Sequence, residues 1–362
     1  MQIFTDRHAL HRIPELELCL PKTVSYLKNA LSGLHCDVFS PMDSAVCAWF
    51  NFGKENAVAF RADMDALPIQ EKTGAEYAST HPGCMHACGH DGHMAILLEL
   101  ARRLSEKKDL PHNVLLVFQP GEESPGAAKL LCETGIFEEK KVKAIFGLHL
   151  WPGLEKGRVF SRKNELMSRS CEVTVDVYGK STHIARPSAG LDATAAAVEF
   201  YQKTIALERS LPGNVYRLLN FGSFHSGTAR NALSAHAHME GSLRAFQDEV
   251  FDHLQEGLYA IAREVEQNTG CTVKVHFAEG YPAVMNPREL LERVQKIAPV
   301  ALLEEPTMTS EDFSWYQRHV PGVFFFLGLG DVPALHSDTF DFDDSILAKG
   351  ADFFLKLAED FR

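Results

Sequence analysis

Hydrophobic positions along the chain change their period twice. In the first stretch, short unbroken apolar runs occupy 57–60, 114–118 and 144–148. Strands buried on both faces look like this. Between the first two runs, Met94, Leu97, Leu98, Ala101 and Leu104 recur at helical spacing. That stripe ends on Lys107 and Lys108, a basic pair that suits the negative end of a helix dipole. The segment 10–31 also has helical character.

Near Arg169 the period becomes two. Cys171, Val173, Val175 and Val177 alternate with Glu172, Thr174 and Asp176, the pattern of a half-buried strand. A helix is expected over 190–208, then strands over 214–224 and 232–246. In the last of these Leu233, Ala235, Ala237 and Met239 face one way, and His236 and His238 fall on the polar face as solvated histidines. Val250, Leu254, Leu258, Ile261 and Val265 form the next helix stripe, stopped by Gly270, and 271–277 is a final strand. The order β-α-β-β-α-β is ferredoxin-like. An α/β pattern then returns at 287–301, 323–327 and 346–361. The expected architecture is an α/β domain, 1–167 and 281–362, interrupted by a small α+β domain at 168–280.

Length agrees, since 362 residues at about 150 per domain suggest two domains. With 45% hydrophobic and 23% charged residues, long disorder, collagen and coiled coil are excluded. A net charge of −12 makes nucleic acid and anionic membrane poor partners. No apolar run reaches the about 18 residues that span a bilayer. The first residues include Asp6, Arg7 and Arg12 and lack the apolar core of a signal peptide, so a cytoplasmic protein is expected. Its eight scattered cysteines should then be thiols, any special one being a metal ligand or nucleophile.

The densest chemical signal is Met85-His86-Ala87-Cys88-Gly89-His90-Asp91-Gly92-His93, just before the Met94 helix. Thiolate and imidazole at this spacing suit zinc, manganese or a similar divalent ion. A helix N-terminus favours the thiolate as well. Other candidate groups follow apolar runs: Asp63 and Asp65 after the first, Glu122 and Glu123 after the second, His149 at the end of the third. Ligand sites in open α/β sheets gather at the carboxyl ends of strands, so these groups can converge. Beside a metal, one glutamate can ligate while its neighbour serves as general base. Dinucleotide, Walker, nucleophile-elbow and H-E-x-x-H motifs are absent.

Together these residues resemble a family. The strings Arg61-Ala62-Asp63-Met64-Asp65-Ala66-Leu67-Pro68, Met85 to His93, Gln119-Pro120-Gly121-Glu122-Glu123 and Gly147-Leu148-His149 are similar to co-catalytic metallopeptidases of the aminoacylase and glutamate carboxypeptidase type. The branch is that of hippurate hydrolases, plant auxin-conjugate amidohydrolases and bacterial N-acetyldiaminopimelate deacetylases. Gly179 to His183, Gly227 to Asn231, Glu311-Asp312-Phe313 and Leu335-His336-Ser337 extend the likeness towards the C-terminus. The resemblance implies a two-metal catalytic domain with an inserted lid and dimerisation domain. It implies that Cys88 bridges two divalent ions, manganese or zinc, with His90, Glu123, His149 and His336 as the other ligands. Where the wider family has a histidine, this chain has Asp63, and His90 would supply the imidazole.

The resemblance further implies that Glu122 is the general base and that Asp65 supports the base or ligates. His183, from the lid, would polarise the scissile carbonyl, within the chain or across a homodimer. Asn231 and Arg244 would hold the substrate carboxylate. Leu20 and Arg186 depart from residues common among relatives, an acidic and an apolar one, at positions that bear on substrate preference. The implied reaction is hydrolysis of N-acyl amino acids to a carboxylate and a free amino acid. Its rivals are a dipeptidase or carboxypeptidase on the same scaffold and a non-catalytic metal-dependent binding protein.

Overall fold

A computed structural model describes all of residues 1–362. The chain folds as two compact units. The first comprises Met1–Leu166, Val284–Pro306 and Asp312–Arg362; the second comprises Met167–Ala283 and Thr307–Glu311.

The first unit is built on an eight-stranded sheet. Its four central strands, in spatial order Asn113–Gln119, Ala57–Asp63, Val142–Trp151 and Gly322–Gly328, run parallel. Three of them are buried at every residue, which is why they read as unbroken apolar runs. Val46–Phe50 and Asp37–Phe39 extend one side antiparallel, and Val159–Ser161 and Ala301–Leu302 extend the other. From Ala57–Asp63 the chain moves first to one neighbour and then to the other. In open α/β sheets ligand sites gather beyond the carboxyl ends of strands around such a reversal. The helix His90–Ser105 begins there and buries Met94, Leu97, Leu98, Ala101 and Leu104.

The helical character expected over 10–31 resolves into two helices, Gln2–His11 and Pro21–Leu31. Pro14 cannot continue the first, and Pro21 starts the second at a position where its missing N–H costs nothing. The break is used: the Ala66 amide donates to the Glu15 carbonyl at 2.8 Å. Within 287–301, where the α/β pattern was expected to return, Arg288–Ile297 is a helix and Ala301–Leu302 joins the sheet.

The second unit has four antiparallel strands in the order Thr272–Phe277, Arg169–Tyr178, His236–Ala245, Arg217–Ser226. The fourth strand in sequence thus lies beside the first, as in ferredoxin-like sheets. Helices Ala193–Ser210 and Asp248–Thr269 share a core with Val173, Val175, Val177, Met239 and Leu243. Asp192 caps the first helix, accepting from the Thr194 amide at 2.9 Å. Gly270, at φ 73°, ends the second in the left-handed conformation that glycine tolerates.

Four expectations from the sequence are corrected by the structure. The strand expected at 214–224 runs Arg217–Ser226, and the one expected from 232 starts at His236. Ala235 is exposed instead of facing the core, because residues just before it leave the ladder and the Leu233 amide donates to the Thr182 carbonyl at 2.9 Å. Residues 307–311, assigned by sequence to the larger domain, belong to the second unit. Ser168 holds them, its amide donating to the Thr309 carbonyl at 2.9 Å and its hydroxyl to the Met308 carbonyl at 2.8 Å.

Candidate metal centre

At the carboxyl edge of the larger sheet, Cys88, His90 and His149 place their donor atoms within 4.8 Å of one another, and so do Cys88, Glu123 and His336. The two triads share the Cys88 sulfur. A third grouping joins His90 to Glu122 and Glu123. All of these residues lie in the first unit. Cys88, His90, Glu122 and His149 are buried, and His336 is half exposed. The loop into the helix turns on Gly89, whose φ of 88° suits only glycine without strain.

The two buried imidazoles are each aimed by a bond on the far side of the ring, and His336 and Glu123 are held through their backbone amides. His90 Nδ1 lies 2.8 Å from the Asp65 carbonyl and His149 Nδ1 lies 2.7 Å from the Leu150 carbonyl. Both rings therefore donate through Nδ1 and turn Nε2 inward, the arrangement usual for ligating histidines. His149 Nε2 is 3.4 Å from Cys88 Sγ. His336 adopts φ 64°, rare for a side-chain-bearing residue, while its amide donates to the Ala87 carbonyl at 2.8 Å. Its Nε2 sits 3.1 Å from Glu123 Oε1. Asp65 spends both oxygens on the next loop, accepting from the amides of Glu122 at 2.9 Å and Glu123 at 3.0 Å.

A divalent cation fits this donor set. His90 Nε2 and Glu123 Oε1 are buried without a hydrogen-bond partner, the His336 contact being close but not aligned. Such orphans are rare and call for an explanation. Burial, with Glu123 and Glu122 nearby, pushes the Cys88 thiol well up. Burial alone would depress His90, but Asp63 and Asp65 raise it to about 10. Burial and His93 hold His149 well down, leaving its lone pair available.

Behind the ligands lies a buried polar network that sequence reasoning missed. Asp63 Oδ1 meets His93 Nδ1 at 2.6 Å, and His93 Nε2 accepts from the Leu150 amide at 2.9 Å. Arg61 donates to Asp63 at 2.6 Å, to Gln119 at 2.8 Å and to Asp312 at 2.8 Å. Burial pushes the Asp312 carboxyl up to about 6 against the pull of Arg61. Arg61, Asp63 and Asp312 all stand in motifs quoted above, but only the fold shows that they meet.

The remaining candidates belong to the second unit. His183 and Asn231 are exposed. The segments that carry them pair, His183 lying opposite Ala232 and the Ile184 amide donating to the Asn231 carbonyl at 3.0 Å. Arg244 donates to the Met308 carbonyl at 2.6 Å and to Ser242 Oγ at 3.2 Å, with no carboxylate partner.

Residues 59–360 match the model of peptidase family M20/M25/M40. An N-acetyldiaminopimelate deacetylase of Limosilactobacillus fermentum is 34% identical, over 97% of this chain and 95% of the relative. An uncharacterized hydrolase of Staphylococcus saprophyticus is 31% identical, over 98% and 96%. Among solved structures, a dinuclear metal-binding peptidase of Bacillus subtilis from the M20 family superposes with a TM-score of 0.85 at 28% identity, covering 99% of this chain and 96% of that one.

Proposed function

The chain belongs to peptidase family M20/M25/M40, a family of hydrolases, and from that footing we propose that it is a metal-dependent amidohydrolase releasing free amino acids from N-acyl amino acids. One observation carries the proposal: two triads of donors share the Cys88 sulfur, with Glu122 adjoining them. The named deacetylase relative supports an acyl-amino-acid substrate.

Cys88, with His90 and His149 on one side and Glu123 and His336 on the other, would hold the two cations. Two divalent ions held there would supply Lewis acidity, lowering the pKa of the attacking water and polarising the amide oxygen. Glu122 would take a proton from the attacking water as its oxygen bonds to the carbonyl carbon, and pass that proton to the leaving nitrogen as the C–N bond breaks. Asp65, through its two backbone bonds, fixes the direction of both glutamates. His183 donates to the oxyanion that develops on the scissile carbonyl. Asn231 and Arg244 hold the substrate carboxylate, and the second unit is the homodimer contact.

A panel of acetyl, benzoyl and long-chain N-acyl amino acids, assayed with added manganese or zinc, tests the reading. Turnover of at least one class well above that of dipeptides is expected. Preference for dipeptides, with their free ammonium, would replace it with a dipeptidase. No turnover across the panel in metal-replete protein would replace it with a binding protein.

A further inference from the structure

The sheet face of the second unit turned away from its helices collects histidines. His236 and His238 are two residues apart on one strand and so project to the same side. Asp176 stands opposite His238 on the neighbouring strand, and His225 stands opposite it on the other. Both imidazoles reach the same carboxylate oxygen: His236 Nε2 is 2.7 Å and His238 Nδ1 2.9 Å from Asp176 Oδ1.

We propose that Asp176, His236 and His238 form a site for one divalent transition-metal ion of the zinc class, sharing no residue with the paired centre. The three donor atoms lie within 4.8 Å of one another. When a cation takes the place of the bridging protons, the lone pairs that held them converge on it. Bond lengths of about 2.0–2.1 Å ask the donors to separate by only about half an ångström. The partly exposed side chains can make that movement by rotation. Two imidazoles and one carboxylate suit zinc, nickel or copper better than magnesium or calcium.

Two further features fit a ligating role. Glu240 Oε1 lies 3.6 Å from the far ring nitrogen of His238, where an orienting carboxylate stands behind a metal-bound imidazole. A cavity of about 290 Å³, lined by His225, Ser226, Ser234, His236 and His238 among others, adjoins the donors and leaves room for a fourth ligand. The ion would tie two strands together at the base of the loop that carries Asn231. The proposal stands apart from the choice of acyl substrate.

Zinc per chain, measured by equilibrium dialysis, tests it. The double variant His236→Asn/His238→Asn is expected to bind one zinc fewer than the unaltered chain, with amide hydrolysis unchanged. Asp176→Asn keeps both imidazoles and should weaken that one ion by more than about tenfold. On the unaltered chain, zinc should protect His236 and His238 from diethylpyrocarbonate, mapped by mass spectrometry, while leaving His253 reactive. Equal zinc in the chain and the double variant overturns the site. So does zinc that gives neither histidine any protection, or binding that Asp176→Asn leaves unaltered, the mark of ordinary surface histidines.

Discussion

Cys88, His90 and Glu122 are buried at the carboxyl edge of a covered sheet, whereas His183 and Asn231 stand exposed on the second unit. The buried set is held by dedicated bonds: Asp65 and Leu150 carbonyls behind the two imidazoles, Asp65 oxygens behind the glutamate loop. In the exposed set the backbone is tied but the side chains are not, apart from His183 Nδ1, which accepts from the Ala185 amide at 3.2 Å. Burying unpaired donors is costly, so such a site must be ordered before its cations arrive. Exposed side chains bear no such cost and can take their order from a substrate. Substitutions in the two regions should therefore fail differently: the first through metal or proton transfer, the second through kcat at His183 and KM at Asn231, with metal content untouched.

The largest expected effect is on metal affinity. The thiol of Cys88 is held protonated by burial, and His90 is raised to about 10, so below that pH a cation displaces a proton from each. Protons and metal compete, and affinity falls as pH falls. Two displaced protons give about a hundredfold change per pH unit, or about 10⁴ between pH 6 and 8. Isothermal titration across that range measures it; a flat profile would show that neither group ligates.

Next comes Glu122→Gln. Its amide cannot take a proton, so kcat should fall by about 10³ while both ions stay bound. Glu123→Gln should instead lose metal and recover in part at high metal concentration. If Glu122→Gln were the depleted variant, the two roles would be exchanged.

His183→Ala should lower kcat by about 10², the usual loss for one oxyanion donor, with metal content untouched. A normal kcat would remove His183 from the reaction. Mixing inactive Glu122→Gln chains with inactive His183→Ala chains should restore activity if the histidine acts across a dimer.

How much of this was legible follows from the range of each signal. Strands covered on both faces announce themselves as unbroken runs, and the half-buried strand from Arg169 does so by alternation. Strands of two or three residues, such as Val159–Ser161 and Ala301–Leu302, are too short to carry a period. Cys88 and His90 were legible because they stand together before a helix. Arg61 and Asp312, 251 positions apart, pair only after the sheet is assembled. His236 and His238 were correctly placed on a polar face, but alternation says nothing of the strand alongside, and so Asp176 was not seen to bind them.

The smallest effect expected in the buried region is the most informative about how it is built. Asp65 carries two separate functions: its carbonyl aims His90, and its carboxylate receives the amides of Glu122 and Glu123. Asp65→Asn leaves the carbonyl in place, so His90 keeps its orientation and the ions should stay. The carboxamide has one acceptor oxygen where the carboxylate had two, and its NH₂ must now face an amide N–H. One charge-assisted bond is lost, a change of about 1.5–3 kcal/mol where the group is buried. Part of that strain can relax through the loop, so a fall in kcat of about tenfold is expected, with KM nearly unchanged. Metal analysis then separates the alternatives. A tenfold loss with both ions present makes Asp65 a positioning residue. Loss of one ion per chain makes it a ligand, and kcat equal to that of the unaltered chain shows that the loop does not need the clamp.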